Sequence, residues 1–247
     1  MRRSRHERRN RRLKRHIQQA VILPSGAVLL ASLIFGGLHL FRWFHLSRTV
    51  YSAKDFNIET IYSATDFNGN DTDDYTDFLL GARQDAKNHP TYDGVYQAGG
   101  YPPDNIGVCA DVIWRAFKNA GYCLRDMVDA DIAARPAAYL NVTTRDPNID
   151  FRRVKNLRVF FDTYAISLTT DPTQIDQWQP GDIVIFREDK HIGMVSDRRN
   201  ANGWTFIIHN SGQPNREEDY LPTDPSTAHY RFDASQVPQE LLIPWHE

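Results

Sequence analysis

An uncharged stretch at residues 20–41, preceded by nine Arg and Lys within residues 2–15, divides the chain before any other feature acts. At about 1.5 Å per residue a helix over this stretch reaches roughly 33 Å, enough to cross the hydrocarbon core of a bilayer. The basic flank predicts a cytoplasmic N-terminus, with the rest of the chain outside. A cleaved signal peptide is the competing reading. It would need a shorter apolar core followed by small residues, whereas Phe41-Arg42-Trp43-Phe44 has the character of an interfacial anchor. The expected organisation is a basic cytoplasmic tail 1–19, a transmembrane signal anchor 20–41, a juxtamembrane stalk 42–72 and one extracytoplasmic domain 73–247.

Charge is divided the same way. Residues 1–49 hold 11 of the 29 Lys and Arg and one of the 31 acids, Glu7, leaving 18 basic against 30 acidic residues for the remainder. So acidic a domain is a poor nucleic-acid binder. The basic tail beside an apolar run has a topological role, and the expected partners are the membrane, through 20–41, and no nucleic acid.

Within the domain, periodicity predicts helices over 74–88, 109–120, 126–134 and 154–164, with Phe78, Leu79 and Ala82 on one face of the first. Asp104 or Asn105 is the expected cap of the second helix and Gly121 its end. The pattern then changes to short apolar strands over 183–186, 191–196, 205–209 and 229–232, with turn signals at Trp178-Gln179-Pro180-Gly181-Asp182 and Asn202-Gly203. Helices first and strands after predict an α+β domain, its helices packed on an antiparallel sheet.

Cys109 and Cys123 are the two cysteines. A continuous helix between them would separate them by roughly 21 Å, too far for a disulfide. Cys123 reads as a buried apolar residue. An unpaired exported cysteine at a helix start reads as a nucleophile, since a helix N-terminus and an imidazole both lower a thiol pKa. His191 opens one predicted strand and His209 closes the next. If they oppose each other their midpoint is Asn200, inside the predicted turn. Gly193, on the His191 face, would then leave room for the helix tip. Cys109 is the expected nucleophile, His191 its base and His209 the residue that orients His191. Asn210 is the alternative third member if the register slips, and Asp104 and Asp111 are candidate supporting residues. A zinc site of His191, His209 and Asp182 or His229 is the rival arrangement. Arg152-Arg153 and Glu217-Glu218-Asp219 read as solvated charge runs or contacts for a polar substrate.

Several motifs in order carry a resemblance. Gly107-Val108-Cys109-Ala110-Asp111-Val112, Asp146-Pro147-Asn148-Ile149-Asp150, Arg152-Arg153-Val154-Lys155-Asn156-Leu157, Trp178-Gln179-Pro180-Gly181-Asp182-Ile183-Val184, His191-Ile192-Gly193-Met194-Val195-Ser196-Asp197, Ile208-His209-Asn210 and His229-Tyr230-Arg231-Phe232 resemble the bacterial family known as domain of unknown function 1287, over roughly residues 75–235. That family is similar to the NlpC-type cysteine peptidases, which have a papain-like α+β fold. The resemblance implies a triad of Cys109, His191 and His209, no metal or organic cofactor, and hydrolysis of amide bonds in cell-wall peptides. The superfamily's usual aspartate-cysteine-serine run is replaced here by Val108-Cys109-Ala110. The expected function is a membrane-anchored cysteine hydrolase acting on peptidoglycan stem peptides. A non-catalytic envelope-binding module and an acyl or peptidyl transferase using the same thiol are the alternatives.

Overall fold

The computed structural model describes Gly36 and residues 50–246, so the expected tail 1–19 and, Gly36 apart, the expected anchor 20–41 lie outside the described residues. Among the described residues no helix is long and apolar enough to cross a membrane. Four helices come first: α1 (Asp74–Asn88), α2 (Cys109–Asn119), α3 (Leu124–Ala134) and α4 (Val154–Tyr164). α1 begins where the Asp73 carboxylate accepts the Tyr75 and Thr76 N–H groups, two donors that a first turn leaves unpaired. α1 and α4 have the bounds that periodicity predicts. α3 starts two residues earlier than expected, with Cys123 as its N-cap.

α2 is capped differently from the expectation. Asp104 is exposed, and the N-cap is Val108, whose side chain has no acceptor. Asp111, in the first turn, acts from inside the helix: its Oδ2 accepts the Val108 N–H at 2.7 Å. The same carboxylate accepts Trp114 Nε1–H at 2.7 Å and two N–H groups of Arg152 at 2.8 and 2.9 Å. Both members of this ion pair are buried. The Arg152-Arg153 run is therefore not a solvated face: Arg152 is an internal strut, and Arg153 pairs with Asp150 at 3.0 Å.

Eight strands lie between and after the helices. β1 (Thr91–Tyr92) and β2 (Ile106–Gly107) form a small parallel pair ahead of α2. The main sheet contains β3 (Ile166–Ser167), β4 (Ile183–Phe186), β5 (His191–Arg199), β6 (Thr205–Ile208), β7 (Glu217–Glu218) and β8 (Ser226–Arg231). It is antiparallel, in the order β3-β8-β4-β5-β6-β7. Ile183, Ile185, Ile192, Met194 and Ile208 join the helices in the main core. Val184, Phe186, Val195 and Ile207 pack on the other face with Trp178, Tyr220 and Leu221. With both faces covered, β4 is apolar throughout rather than alternating.

Residues 50–72, the greater part of the expected stalk, lie on the domain. Tyr51 exchanges backbone hydrogen bonds with Arg199 at 2.9 and 2.8 Å, Phe67 stacks on Tyr122 at 4.1 Å, and the Ile61 N–H donates to Gln179 at 3.1 Å.

The Trp178-to-Asp182 turn is a fastening. Asp182 accepts from Arg231 Nε and Nη2 at 2.8 and 2.7 Å, from the Gln179 N–H at 2.9 Å, and lies 3.1 Å from His229 Nε2. Trp178 stacks on the His229 ring at 4.0 Å. Gly181 has φ +87°, and a Cβ there would lie 2.4 Å from the Tyr75 carbonyl oxygen.

Two substitutions test this frame. Gly181→Ala meets both a left-handed backbone and a carbonyl, and is expected to lower stability by roughly 3 kcal/mol, read as a shift in the urea midpoint. Asp111→Asn leaves Arg152 buried without its counter-charge and is expected to cost about 3–5 kcal/mol in the same measurement. An Asp111→Asn midpoint within error of wild type would show that Arg152 does not depend on the carboxylate.

Candidate active site

Cys109 is the first residue of α2 and is 5% exposed. Its sulfur faces backbone N–H groups, those of Ile192, Ala110 and Cys109 itself. Ile192 is the residue after His191, so the start of α2 and the start of β5 meet at the thiol. A thiol–imidazole hydrogen bond is not among the sulfur's contacts in this resting geometry. Burial pushes the Cys109 thiol up to about 11; the three N–H groups pull against that, and the nearby Asp111 charge adds to the rise. The lowered thiol pKa expected from the helix terminus and imidazole is therefore reversed. A helix end contributes a fraction of a kcal/mol to about 2 kcal/mol, less than desolvation of a thiolate at a dry site.

His191 opens β5, and its Nε2 lies 2.9 Å from His209 Nδ1. The two rings meet edge to face, with centroids 4.9 Å apart. Burial, reinforced by His209 and Arg187, pulls His191 down to about 3. At neutral pH the site therefore holds a thiol and a neutral imidazole. His209 occupies Nε2 of His191, so Nδ1 is the nitrogen left for the thiol proton.

The strand register differs from the expected one by two. Met194 pairs with Ile208 and Val195 with Ile207, which carries Gly193, rather than His191, to the place opposite His209. The space beside Gly193 is taken by its own neighbour strand: a Cβ there would lie 2.6 Å from Ile207 Cγ2 and 3.1 Å from His209 Cβ. Gly193 thus makes room for β6 and the leaning His209 ring, not for the helix tip.

Of the supporting residues, Asn210 binds away from His191. Its Nδ2 donates to the Gly107 carbonyl at 3.0 Å and its Oδ1 accepts the Gly212 N–H at 3.0 Å, tying the turn after His209 to the strand before Cys109. Asp104 borders a different face with Gly81, Gln84, Asp85, Asn88 and Arg115. Asp111 fixes the helix start, as above. Asp182 and His229 are joined to each other and to Arg231 rather than to His191 and His209. Among the described residues no group of three His, Cys, Asp or Glu is arranged to hold a metal.

Two residues at the site escaped the sequence reading. Tyr220 packs against both rings, 4.2 Å from His209 and 5.6 Å from His191 between centroids, and its hydroxyl accepts from Arg187 Nη2 at 2.6 Å. Glu218 Oε1 lies 3.2 Å from His209 Nε2. The signal was present in Glu217-Glu218-Asp219, but these three acids are not one solvated face: Glu217 is buried against Arg83 and Ser196, and Asp219 accepts from Asn200. The turn ahead of His191 is strained, with Arg187, Glu188 and Asp189 all at φ between 52° and 67°. Such residues persist where neighbours hold them, here Asp224 on Arg187 and Arg158 on Asp189. Tyr92, at the end of β1, and Val95 and Tyr96, on the segment after it, stand about half exposed. Arg152 Nη1 holds this segment through the Val95 carbonyl at 3.2 Å.

A family model described as Domain of unknown function (DUF1287) matches residues 79–232. The chain is similar to Uncharacterized protein YijF of Escherichia coli (strain K12), at 37% identity over 162 residues, which is 62% of this chain and 78% of that protein. No solved structure matches it. Cys109, His191, His209 and Glu218 all fall within the family match, which covers more than half of the sequence, and the chain belongs to the DUF1287 family.

Proposed function

We propose that this protein is a membrane-anchored cysteine hydrolase whose extracytoplasmic domain has a papain-like, NlpC-type fold and cleaves amide bonds in peptidoglycan stem peptides through a thioester. The observation that carries the proposal is the meeting of two element starts. A cysteine at the tip of α2 faces the backbone beside a histidine that a second histidine holds by its far nitrogen. The anchor is assigned to residues 20–41, with the basic tail on the cytoplasmic side.

The resting pair is neutral, so the chemistry begins with proton transfer. As the sulfur attacks the carbonyl carbon, its proton passes to His191 Nδ1. The developing oxyanion is stabilised by backbone N–H groups at the start of α2. Collapse breaks the carbon–nitrogen bond, and the imidazolium returns its proton to the leaving amine. Water then attacks the thioester with His191 as base, releasing the acid and restoring the thiol. Tyr92, half exposed and close enough to Cys109 to feel its charge, offers an apolar face for substrate.

The burial of Cys109 favours a second reading, an envelope-binding module without turnover, and transfer to an amine in place of water uses the same thioester. Incubation of the full chain with defined muropeptides, read by mass spectrometry, separates these. Hydrolysis produces new free amines, and Cys109→Ala abolishes them. New cross-links would mean transfer, and binding without products would leave the scaffold.

The pKa directions give a second test. A thiol raised to about 11 is the less reactive protonated form at pH 7, and its thiolate fraction rises about tenfold per pH unit up to that value. Iodoacetamide labelling of Cys109 should therefore climb steeply from pH 7 to 10. A fast rate already flat from pH 5 would instead reveal a preformed thiolate–imidazolium pair and sink the neutral resting state.

A further inference from the structure

We infer that Glu218 is a positioning residue for the proposed hydrolase, setting which nitrogen of His191 is free to take the thiol proton by holding the proton of His209 on Nε2. The inference rests on the cysteine-hydrolase reading. It starts from a chain of contacts: Glu218 Oε1 is 3.2 Å from His209 Nε2, and His209 Nδ1 is 2.9 Å from His191 Nε2.

A carboxylate only accepts hydrogen bonds, and a neutral imidazole has one donor and one acceptor nitrogen. Opposite Glu218, the His209 proton belongs on Nε2. His209 Nδ1 is then an acceptor, so the nitrogen facing it, His191 Nε2, must carry the His191 proton. That leaves a lone pair on His191 Nδ1. Without an acceptor at Glu218, the opposite arrangement is equally open: His209 protonated on Nδ1 would donate to His191 Nε2 and put the His191 proton on Nδ1, where it blocks the thiol proton.

The remaining neighbours do not set the order. Gln213 Nε2 lies 3.3 and 3.2 Å from the two His209 nitrogens and donates to the His209 carbonyl at 3.0 Å. Lying beside both ring nitrogens, that amide favours neither tautomer, which leaves the Glu218 carboxylate as the group that chooses between them. Tyr220 meets both rings through its own ring, while its hydroxyl is engaged by Arg187 and Asp224. The transfer balances without moving a proton to Glu218. The S–H bond breaks, the electron pair stays on sulfur and an N–H bond forms at His191 Nδ1. The imidazolium donates from Nε2 to His209, whose Nε2–H stays beside the carboxylate, 3.2 Å away.

Ring-nitrogen NMR of the 15N-histidine-labelled full chain in detergent micelles reads the tautomers directly, with Cys109 alkylation as the second readout. Wild type should show both His191 and His209 protonated on Nε2. Glu218→Leu should redistribute the His209 proton towards Nδ1 and slow alkylation by about tenfold, the lower end of what orienting partners of this kind contribute. Glu218→Gln, whose amide oxygen still accepts, should keep the wild-type tautomers and lose less rate. Glu218 lies on an edge strand and is about a third exposed, and the wild-type spectrum needs no variant. A wild-type His209 protonated on Nδ1, or a Glu218→Leu chain with unchanged tautomers and rate, overturns the inference. The expected tautomers in a chain that never turns over muropeptides would uphold the relay and count against the hydrolase.

Discussion

The buried Asp111 carboxylate is the point on which the site depends. It closes the first turn of α2 through the Val108 N–H, fixes Trp114, and pairs twice with Arg152. Arg152 reaches in turn to the Val95 carbonyl on the segment after β1. One carboxylate thus sets both the tip that carries Cys109 and the lip beside it. A buried ion pair is a weak source of net stability, because removing two charges from water offsets most of their attraction. What this one supplies is position: the bidentate fork allows α2 one placement relative to Arg152. The cost falls on the thiol, since the negative charge in the same helical turn adds to the rise that burial causes.

The helices were legible because their signal is local. Apolar residues at helical spacing gave α1 and α4 their bounds, and Cys109 fell at the start of α2 as expected. The four central strands were legible as apolar runs. The two-residue strands β1, β2, β3 and β7 were not, because so short a segment has no period to read. The register of β5 on β6 failed for a related reason. Two histidines equidistant from a turn suggested direct opposition, but the offset depends on how Gly193 lets Ile207 and His209 close in, a three-dimensional fit with no linear trace.

Charged residues were the least legible. Asp182 lies far in sequence from His229 and Arg231, and only the fold joins the three into the fastening under the Trp178 turn. Arg152-Arg153 and Glu217-Glu218 look like solvated runs because alternate residues in each point to different places. Arg152 points into the core and Arg153 towards solvent; Glu217 reaches Arg83 and Glu218 reaches His209. Glu217 and Glu218 are neighbours on β7 and so face opposite sides of the sheet, while Arg152 ends a tight turn and Arg153 caps α4, so a charge run says little about either member.

In the proposed hydrolase a second histidine stands where many triads place an acid, and the same electrostatics account for it. His191 and His209 are both nearly inaccessible, at 3% and 1% exposure. A carboxylate set directly on His191 would have to lose its hydration inside that site, at several kcal/mol before any pairing. Glu218 is 31% exposed, where water still solvates it, and His209 carries its hydrogen-bonding preference inward through one ring. In the inferred relay the negative charge stays at the sheet edge while the direction of donation reaches the proposed base. The attraction between carboxylate and imidazolium weakens with that extra distance, so the arrangement gives up part of the ion-pair stabilisation for correct placement of the proton. It suits a site whose resting members are both neutral, because there the first requirement is a lone pair facing the thiol, and the charge appears only once the proton has moved.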